Sequence, residues 1–422
     1  MKKIIALLLA ALMVLSMAAC DNSTGNTTTA PNGTEGSKDT TAAAPQEITL
    51  KVWAPQEDQV DSSSWLNVML AKFEEAHPEY KITWELGVCS EADALGKVTG
   101  DVSAAADVFM YANDQLGGMM QAEALAKLGG DYLAQVQNDN SETFVNTVTY
   151  TDGGVYGFPY MANCWFMYYN KSVYSEEDIK SLETMLEKGN VAFPMSNSWY
   201  LMSFYAANGA TLFGPQGVDA AAGIELGEGA VDVTKYLINL AANPHFKNDV
   251  SGLGMSGLAD GSIAAMFSGS WDAANVQAAL GENYAAAQLP TITINGEAKS
   301  LKAFAGSKAI GVNKQSKNMK AAMQLAAFLS SVEAQKAHFE IRGVIPAAKV
   351  LSSDPTVAAN VVAVAESMTM QNTAIGQPTI PEMGTYWGAA DAMGNGIVNG
   401  EVTLDNAAEK TQTFEDAANG KT

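Results

Sequence analysis

The sequence predicts an α/β protein with mostly parallel sheets flanked by helices, and three stretches near its start carry that expectation. Residues 48–53 (Ile-Thr-Leu-Lys-Val-Trp) alternate apolar and polar side chains, the two-residue period of a half-buried strand. Leu66, Met69, Leu70 and Phe73 then recur at helical spacing behind Ser62, Ser63 and Ser64, so a capped amphipathic helix is expected, ending at His77-Pro78. Tyr80, Ile82, Trp84 and Leu86 alternate again as a second strand. A strand, a helix and a strand in this order form a parallel pair joined by a crossover.

Further along, residues 92–105 read as a small-residue helix and residues 107–111 (Asp-Val-Phe-Met-Tyr) as a buried third strand. Ligands of such sheets sit at the carboxyl ends of the strands, which here hold residues 54–58, 88–93 and 111–115. Residues 158–169 form a long aromatic run that reads as one nearly continuous strand. Helical stretches follow at 199–207 and 231–242, extended ones at 264–268, 284–289 and 309–313, and a last helix at 319–330. No repeat or linker interrupts residues 47–422, so the body reads as one compact unit with lobes that the chain crosses more than once.

Composition excludes several classes of function. The 24 Lys and Arg face 46 Asp and Glu, a net charge of −22. That sign repels phosphate backbones and anionic lipid alike, so no nucleic-acid partner is expected. At 47% hydrophobic and 17% charged residues the chain is globular. At ~100–200 residues per domain, its 422 residues make two or three. Three widely spaced histidines (His77, His245, His338) leave little for a metal site, and neither metal nor cofactor is expected.

The first residues read as an address. Lys2 and Lys3 precede an uncharged run, residues 4–19, and then Cys20. The alternative of a membrane anchor needs ~17–25 apolar residues. Met17-Ala18-Ala19-Cys20 resembles the lipobox of bacterial lipoproteins, with Met17 where Leu is usual, which implies cleavage before Cys20 and lipid on it. Residues 1–19 are then a signal peptide. Residues 20–46, almost without large apolar side chains, form a lipid-anchored polar tether. The membrane is met through this lipid only, on the extracellular face of the cell. Cys89 and Cys164 remain, and they read as two free thiols.

Chemistry-bearing motifs are scarce. The chain has no G-x-S-x-G, phosphate-binding loop, dinucleotide fingerprint or H-E-x-x-H, so no catalytic residue is assigned. Aromatic residues, however, stand among turn-forming polar ones. Trp199 follows Ser196, Asn197 and Ser198, Trp271 lies in Ser268-Gly-Ser-Trp-Asp272, and Trp387 closes residues 381–387. Flat aromatic faces beside amides and carboxylates suit neutral sugars, whose C–H faces stack while their hydroxyls hydrogen-bond.

Several blocks together resemble the maltose/maltodextrin-binding proteins, extracellular solute-binding components of bacterial ABC importers. These are residues 106–118 (Ala-Asp-Val-Phe-Met-Tyr-Ala-Asn-Asp-Gln-Leu-Gly-Gly), Phe158-Pro159 with Tyr169-Asn-Lys171, residues 206–209, 261–271, 304–306 and 380–387 (Ile-Pro-Glu-Met-Gly-Thr-Tyr-Trp). The resemblance implies a periplasmic-binding-protein-like fold of two α/β lobes joined by a hinge. Residues 47–161 plus 310–351 would form the first lobe and 166–304 plus 356–422 the second, crossing at 162–165, 305–309 and 352–355. The family's stacking aromatics fall on Trp271 and Trp387, with Tyr111 where Trp is usual and Trp199 where Tyr is usual. Asp114 keeps a hydroxyl-binding carboxylate, while Gln115 stands for an Arg. Asn163 and Asn197 stand for two glutamates, and Glu57 and Asp58 for an Asp-Lys pair.

The implied function is capture of malto-oligosaccharides, maltotriose or longer preferred, by a monomer that delivers them to ABC permease subunits. A different oligosaccharide or solute is the alternative within the fold. An extracellular glycosidase is the alternative outside it, weakened by Asn163 and Asn197 where cleft acids would stand.

Overall fold

In the computed structural model, which describes residues 44–215 and 217–421, helices cover two main sheets, of six and five strands, beside two short two-stranded ones. The strand Gln46–Ala54 pairs in parallel with Tyr80–Val88 along its length, and with Val108–Ala112 at Val52 and Trp53. Between the first two runs the helix Trp65–Ala76, which turns Leu66, Met69, Leu70 and Phe73 inward as their spacing requires.

Two local expectations fail for local reasons. Ser64 occupies the N-cap of Trp65–Ala76 without capping it, because its Oγ accepts the Asp61 N–H at 3.0 Å and closes the preceding loop instead. The helix expected over 92–105 shrinks to Ala94–Thr99. Beyond it the Asp101 carboxylate accepts the N–H groups of Ser103 and Ala104, which offers the backbone a turn in place of another helical turn.

The aromatic run at 158–169 is two strands, divided at Cys164. Phe158–Asn163 pairs antiparallel with Ala303–Val312, whereas Trp165–Asn170 pairs antiparallel with Ala265–Gly269 and Tyr284–Ala287. At Cys164 the chain therefore leaves one sheet and enters the other. Ala303–Val312 brings it back, pairing in parallel with Ala374–Gly376 and antiparallel with Val108–Ala112. That antiparallel return makes the first, six-stranded sheet mixed. The second has five strands, in the order Tyr284–Ala287, Trp165–Asn170, Ala265–Gly269, Val191–Phe193, Phe246–Asn248, and its last two pairings are parallel.

Each sheet has its own core. One apolar cluster draws on residues 48–161 and 309–344, the other on 164–305 and 380–418. A third, smaller cluster gathers Ala162, Phe166, Phe339, Ile345 and Val362 around the crossing. Phe109 in the first core and Phe267 in the second are at most 1% exposed, and such burial contributes ~1.5–3 kcal/mol per side chain. Cys89 and Cys164 are buried and free, and burial pushes both thiols above the usual range. Among the described residues no helix is long and apolar enough to cross a membrane. The uncharged run at 4–19, Cys20 and most of the tether lie outside the described residues.

Candidate functional site

Strand ends converge on a cavity of about 410 Å³ between the two lobes. Gln46–Ala54 runs into the turn Gln56–Asp58, which brings Glu57 and Asp58 to the wall. Tyr80–Val88 leads to Glu91, Val108–Ala112 to Asp114, and Phe158–Asn163 ends on Asn163 itself. From the second sheet Val191–Phe193 leads to Asn197 and Trp199, and Ala265–Gly269 to Trp271. Strands that run the same way deliver their following loops to one edge. Trp387 arrives separately, from the helix Gly384–Val398. Trp271, Trp387, Trp199, Asp114, Asn163, Asn197, Glu57 and Asp58 thus all line this one cavity.

Tyr111 does not, and its expected place at the ligand is corrected here. It is 0% exposed in the first core, its ring against Phe109 at 6.3 Å and its phenol near Gly157. The strand carries its side chain into the packed interior, so ligand cannot reach it.

The second lobe forms an aromatic wall. Trp199 and Trp271 are half-buried, with ring centroids 5.9 Å apart and planes at 41°. Trp271 folds back over Gly269, where any Cβ would collide with the indole. Trp199 Nε1 donates to Gln377 Oε1 at 2.9 Å. Trp387, also half-buried, packs edge-on against Tyr386 at 5.0 Å and Phe304 at 6.1 Å. Packing of this kind fixes each ring before a ligand arrives, which lowers the ordering cost of binding.

The first lobe forms a polar wall in which Asp58 and Glu91 are already paired. His338 Nε2 donates to Asp58 Oδ1 at 2.9 Å, since a carboxylate can only accept, and Arg342 Nη1 lies 3.5 Å from the same oxygen. The imidazole stacks on Trp65 at 4.1 Å and on Tyr160 at 5.6 Å. Burial pushes the Asp58 carboxyl up, but His338, Arg342 and Lys308 outweigh it and hold Asp58 below the usual range. Glu91, 5% exposed, accepts the Tyr160 hydroxyl at 2.6 Å and pairs with Lys308 Nζ at 3.3 Å. Lys308 in turn stands 5.1 Å over the Trp271 ring, linking the two walls by a cation–π contact. Asp114 has no cation to balance it, and burial pushes it up to about 6 despite the Gln377 amide beside it.

Glu91, Lys308, His338, Arg342 and Gln377 also line the wall and were not among the expected site residues, although Glu91 lies at the strand end 88–93. Lys308 had a signal, being the single charge within the apolar strand Ala303–Val312. His338 and Arg342 had a weaker one, four residues apart on one helix face. Gln377 follows a three-residue strand and had none. Among the described residues no group of three or more His, Cys, Asp or Glu side chains is arranged to hold a metal ion. Aromatic faces opposite hydrogen-bonding edges match a ligand that is apolar on its faces and hydroxylated at its rim.

Residues 68–365 match the family described as bacterial extracellular solute-binding protein. The galactooligosaccharide-binding protein of Bacillus subtilis is 26% identical, the match covering 97% of this chain and 96% of that one. A protein of Streptococcus pneumoniae named maltooligosaccharide ABC transporter solute-binding lipoprotein is 28% identical over 82% of this chain and 84% of its own. A solved structure determined with acarbose is 48% identical and superposes with a TM-score of 0.86, covering 89% of this chain and 99% of that one.

Proposed function

Because the chain belongs to the bacterial extracellular solute-binding proteins, we propose that it captures neutral gluco-oligosaccharides, malto-oligosaccharides first, between its lobes and delivers them to the permease subunits of an ABC importer. The observation that carries this reading is the gathering of Trp199, Trp271 and Trp387 on one wall of a single cavity, opposite Asp58, Glu91 and Asp114. Sugar rings stack on the first set and present hydroxyls to the second. The relative solved with acarbose, at 48% identity, supports the α-glucan class. Two separate apolar cores support lobes at 47–161 plus 310–351 and 166–304 plus 356–422, with crossings at 162–165, 305–309 and 352–355. The protein acts as a monomeric binder and not as an enzyme: Asp58 and Glu91 are held in ion pairs, a poor state for a carboxyl that must give up or take a proton.

The experiment is titration calorimetry of the mature chain with maltotriose, maltoheptaose and galacto-oligosaccharides. Heat with the maltose series and little with the galactose series is expected. The reverse ranking favours the second reading, binding of galacto-oligosaccharides, which the Bacillus subtilis relative supports. Products shorter than the added maltoheptaose would overturn the binder reading.

The same proposal includes attachment to the outer face of the membrane through lipid on Cys20, a reading supported by the name of the Streptococcus pneumoniae relative. Each buried CH₂ of an acyl chain contributes ~0.8 kcal/mol, so Cys20→Ala is expected to move the protein from the membrane fraction to the medium. Equal membrane association of the two forms would overturn the anchor.

A further inference from the structure

Behind the crossing lies another cavity, of about 460 Å³, that shares no lining residue with the sugar cleft. Along the strand Phe158–Asn163, Met161 and Asn163 face the cleft while Ala162 faces this rear cavity, because neighbouring side chains of a strand point to opposite sides. Val344 and Ile345 divide in the same way. The connecting chain itself therefore screens one cavity from the other.

We infer that the rear cavity binds a medium-chain aliphatic carboxylate, with its alkyl chain on the floor and its carboxylate at Lys349. Ala162, Ile345, Pro346, Val357 and Ala363 are buried at the floor. Val364 and Met368 of the helix Val361–Asn372 open onto it, 44% and 42% exposed. Methionine adapts its shape to an irregular apolar guest, and the volume lies within the ~300–1,000 Å³ typical of small-molecule sites. Phe144 is the single aromatic side chain of the lining among the described residues, against three tryptophans in the cleft, so the floor suits an alkyl chain and not a stacked sugar. Ser352, Ser367 and Gln371 stand exposed at the rim beside Lys349, which has no carboxylate partner among the described residues. On a chain of net charge −22 an anion is held only where a nearby cation offsets the repulsion. Glu366 also lines the cavity, but burial pushes it up to about 8, so at neutral pH it is protonated and repels no anion.

The test is calorimetry with decanoate, hexanoate and decanol on the Cys20→Ala chain, which carries no lipid of its own to compete. Decanoate is expected to bind about tenfold or more tighter than hexanoate, since each further buried CH₂ is favourable. Val364→Glu and Met368→Glu each place a carboxylate on an exposed part of the apolar wall, and each should weaken decanoate about tenfold or more. The two variants are independent, so one that does not fold leaves the other to decide. Lys349→Glu should weaken decanoate about fivefold or more and leave decanol unchanged. Trp387→Ala, in the sugar cleft, should bind decanoate like the parent chain. Absence of saturable decanoate binding overturns the site, as does full affinity in a folded Val364→Glu or Met368→Glu chain. Loss of decanoate in Trp387→Ala would move the ligand to the cleft, and equal effects of Lys349→Glu on decanoate and decanol would overturn recognition of the anionic head.

Discussion

Trp271 and Trp387 reach the cavity from one lobe, and each is only half-buried, so part of each ring is available to stack on a sugar. An aromatic platform is worth ~1–3 kcal/mol by analogy with base stacking, against ~0.5–1.5 for a hydrogen bond. Trp271→Ala or Trp387→Ala is therefore expected to weaken maltotriose binding about tenfold or more, with Asn163→Ala weakening it less. The melting temperature should fall only a few degrees, since the shift is ~2–4 °C per kcal/mol for about 150–250 residues and smaller for a longer chain. Collapse of stability with normal residual binding would make the tryptophans core residues. Asp114 adds a pH dependence. Burial raises it to about 6, so it is protonated below that pH and a carboxylate above it. Charge-assisted hydrogen bonds are roughly twice as strong as neutral ones, and affinity should rise between pH 5 and 7. In Asp114→Asn that slope should vanish. A slope that persists in the variant would assign the effect to another group.

At the scale of elements, the helix Val361–Asn372 holds the crossing between the sheets through one side chain. Glu366 is 0% exposed, and its Oε1 accepts the Cys164 N–H at 3.3 Å, where the chain passes from Asn163 to Trp165. Its Oε2 has no partner. Burial, only partly offset by the Cys164 hydrogen bond, pushes this carboxyl from 4.5 up to about 8. The sign follows from linkage. A carboxyl that holds its proton longer when folded contributes stability below pH 4.5, and that contribution is lost as pH rises through 8. The loss is on the order of a few kcal/mol. Glu366→Gln keeps the acceptor and cannot ionise. Its melting temperature should match the wild type near pH 5 and exceed it near pH 9. Equal melting at both would show that Glu366 is not strained by burial.

For the whole molecule, the relevant contact is between lobes. Gly117, on the short helix Leu116–Gln121, lies against the segment 379–381 of the other lobe, where a Cβ would stand 2.7 Å from Pro381 N and 2.8 Å from the Thr379 carbonyl oxygen. Both are main-chain atoms that cannot step aside, so only glycine lets the lobes approach this closely beside the cleft. A sugar touching both walls favours the approached state, and saturating maltotriose should reduce the radius of gyration measured by small-angle scattering. Gly117→Val should bind more weakly and remain larger when saturated. An unchanged wild-type radius under demonstrated binding would mean a rigid cleft.

Much of the protein could be read from its sequence because the governing signals are local. The alternation of Ile48 to Trp53 and the helical spacing of Leu66 to Phe73 specify strand and helix, and their order specifies the parallel pair with its loops at one edge. Trp199, Trp271 and Trp387 were visible as cleft candidates because bulky rings stood among Ser, Asn and Gly. Other features depended on partners far along the chain. Residues 158–169 divide at Cys164 because Asn163 pairs with Gly306 while Trp165 pairs with Gly269, and nothing within the run announces two destinations. Tyr111 shares a block with Asp114, yet the sheet takes its side chain into the core. Asp58 meets His338 across 280 residues, and Lys308 meets Glu91 in the same way. Periodicity is written residue by residue, whereas a buried charge pair comes into being only when the tertiary fold removes water from two remote groups at once.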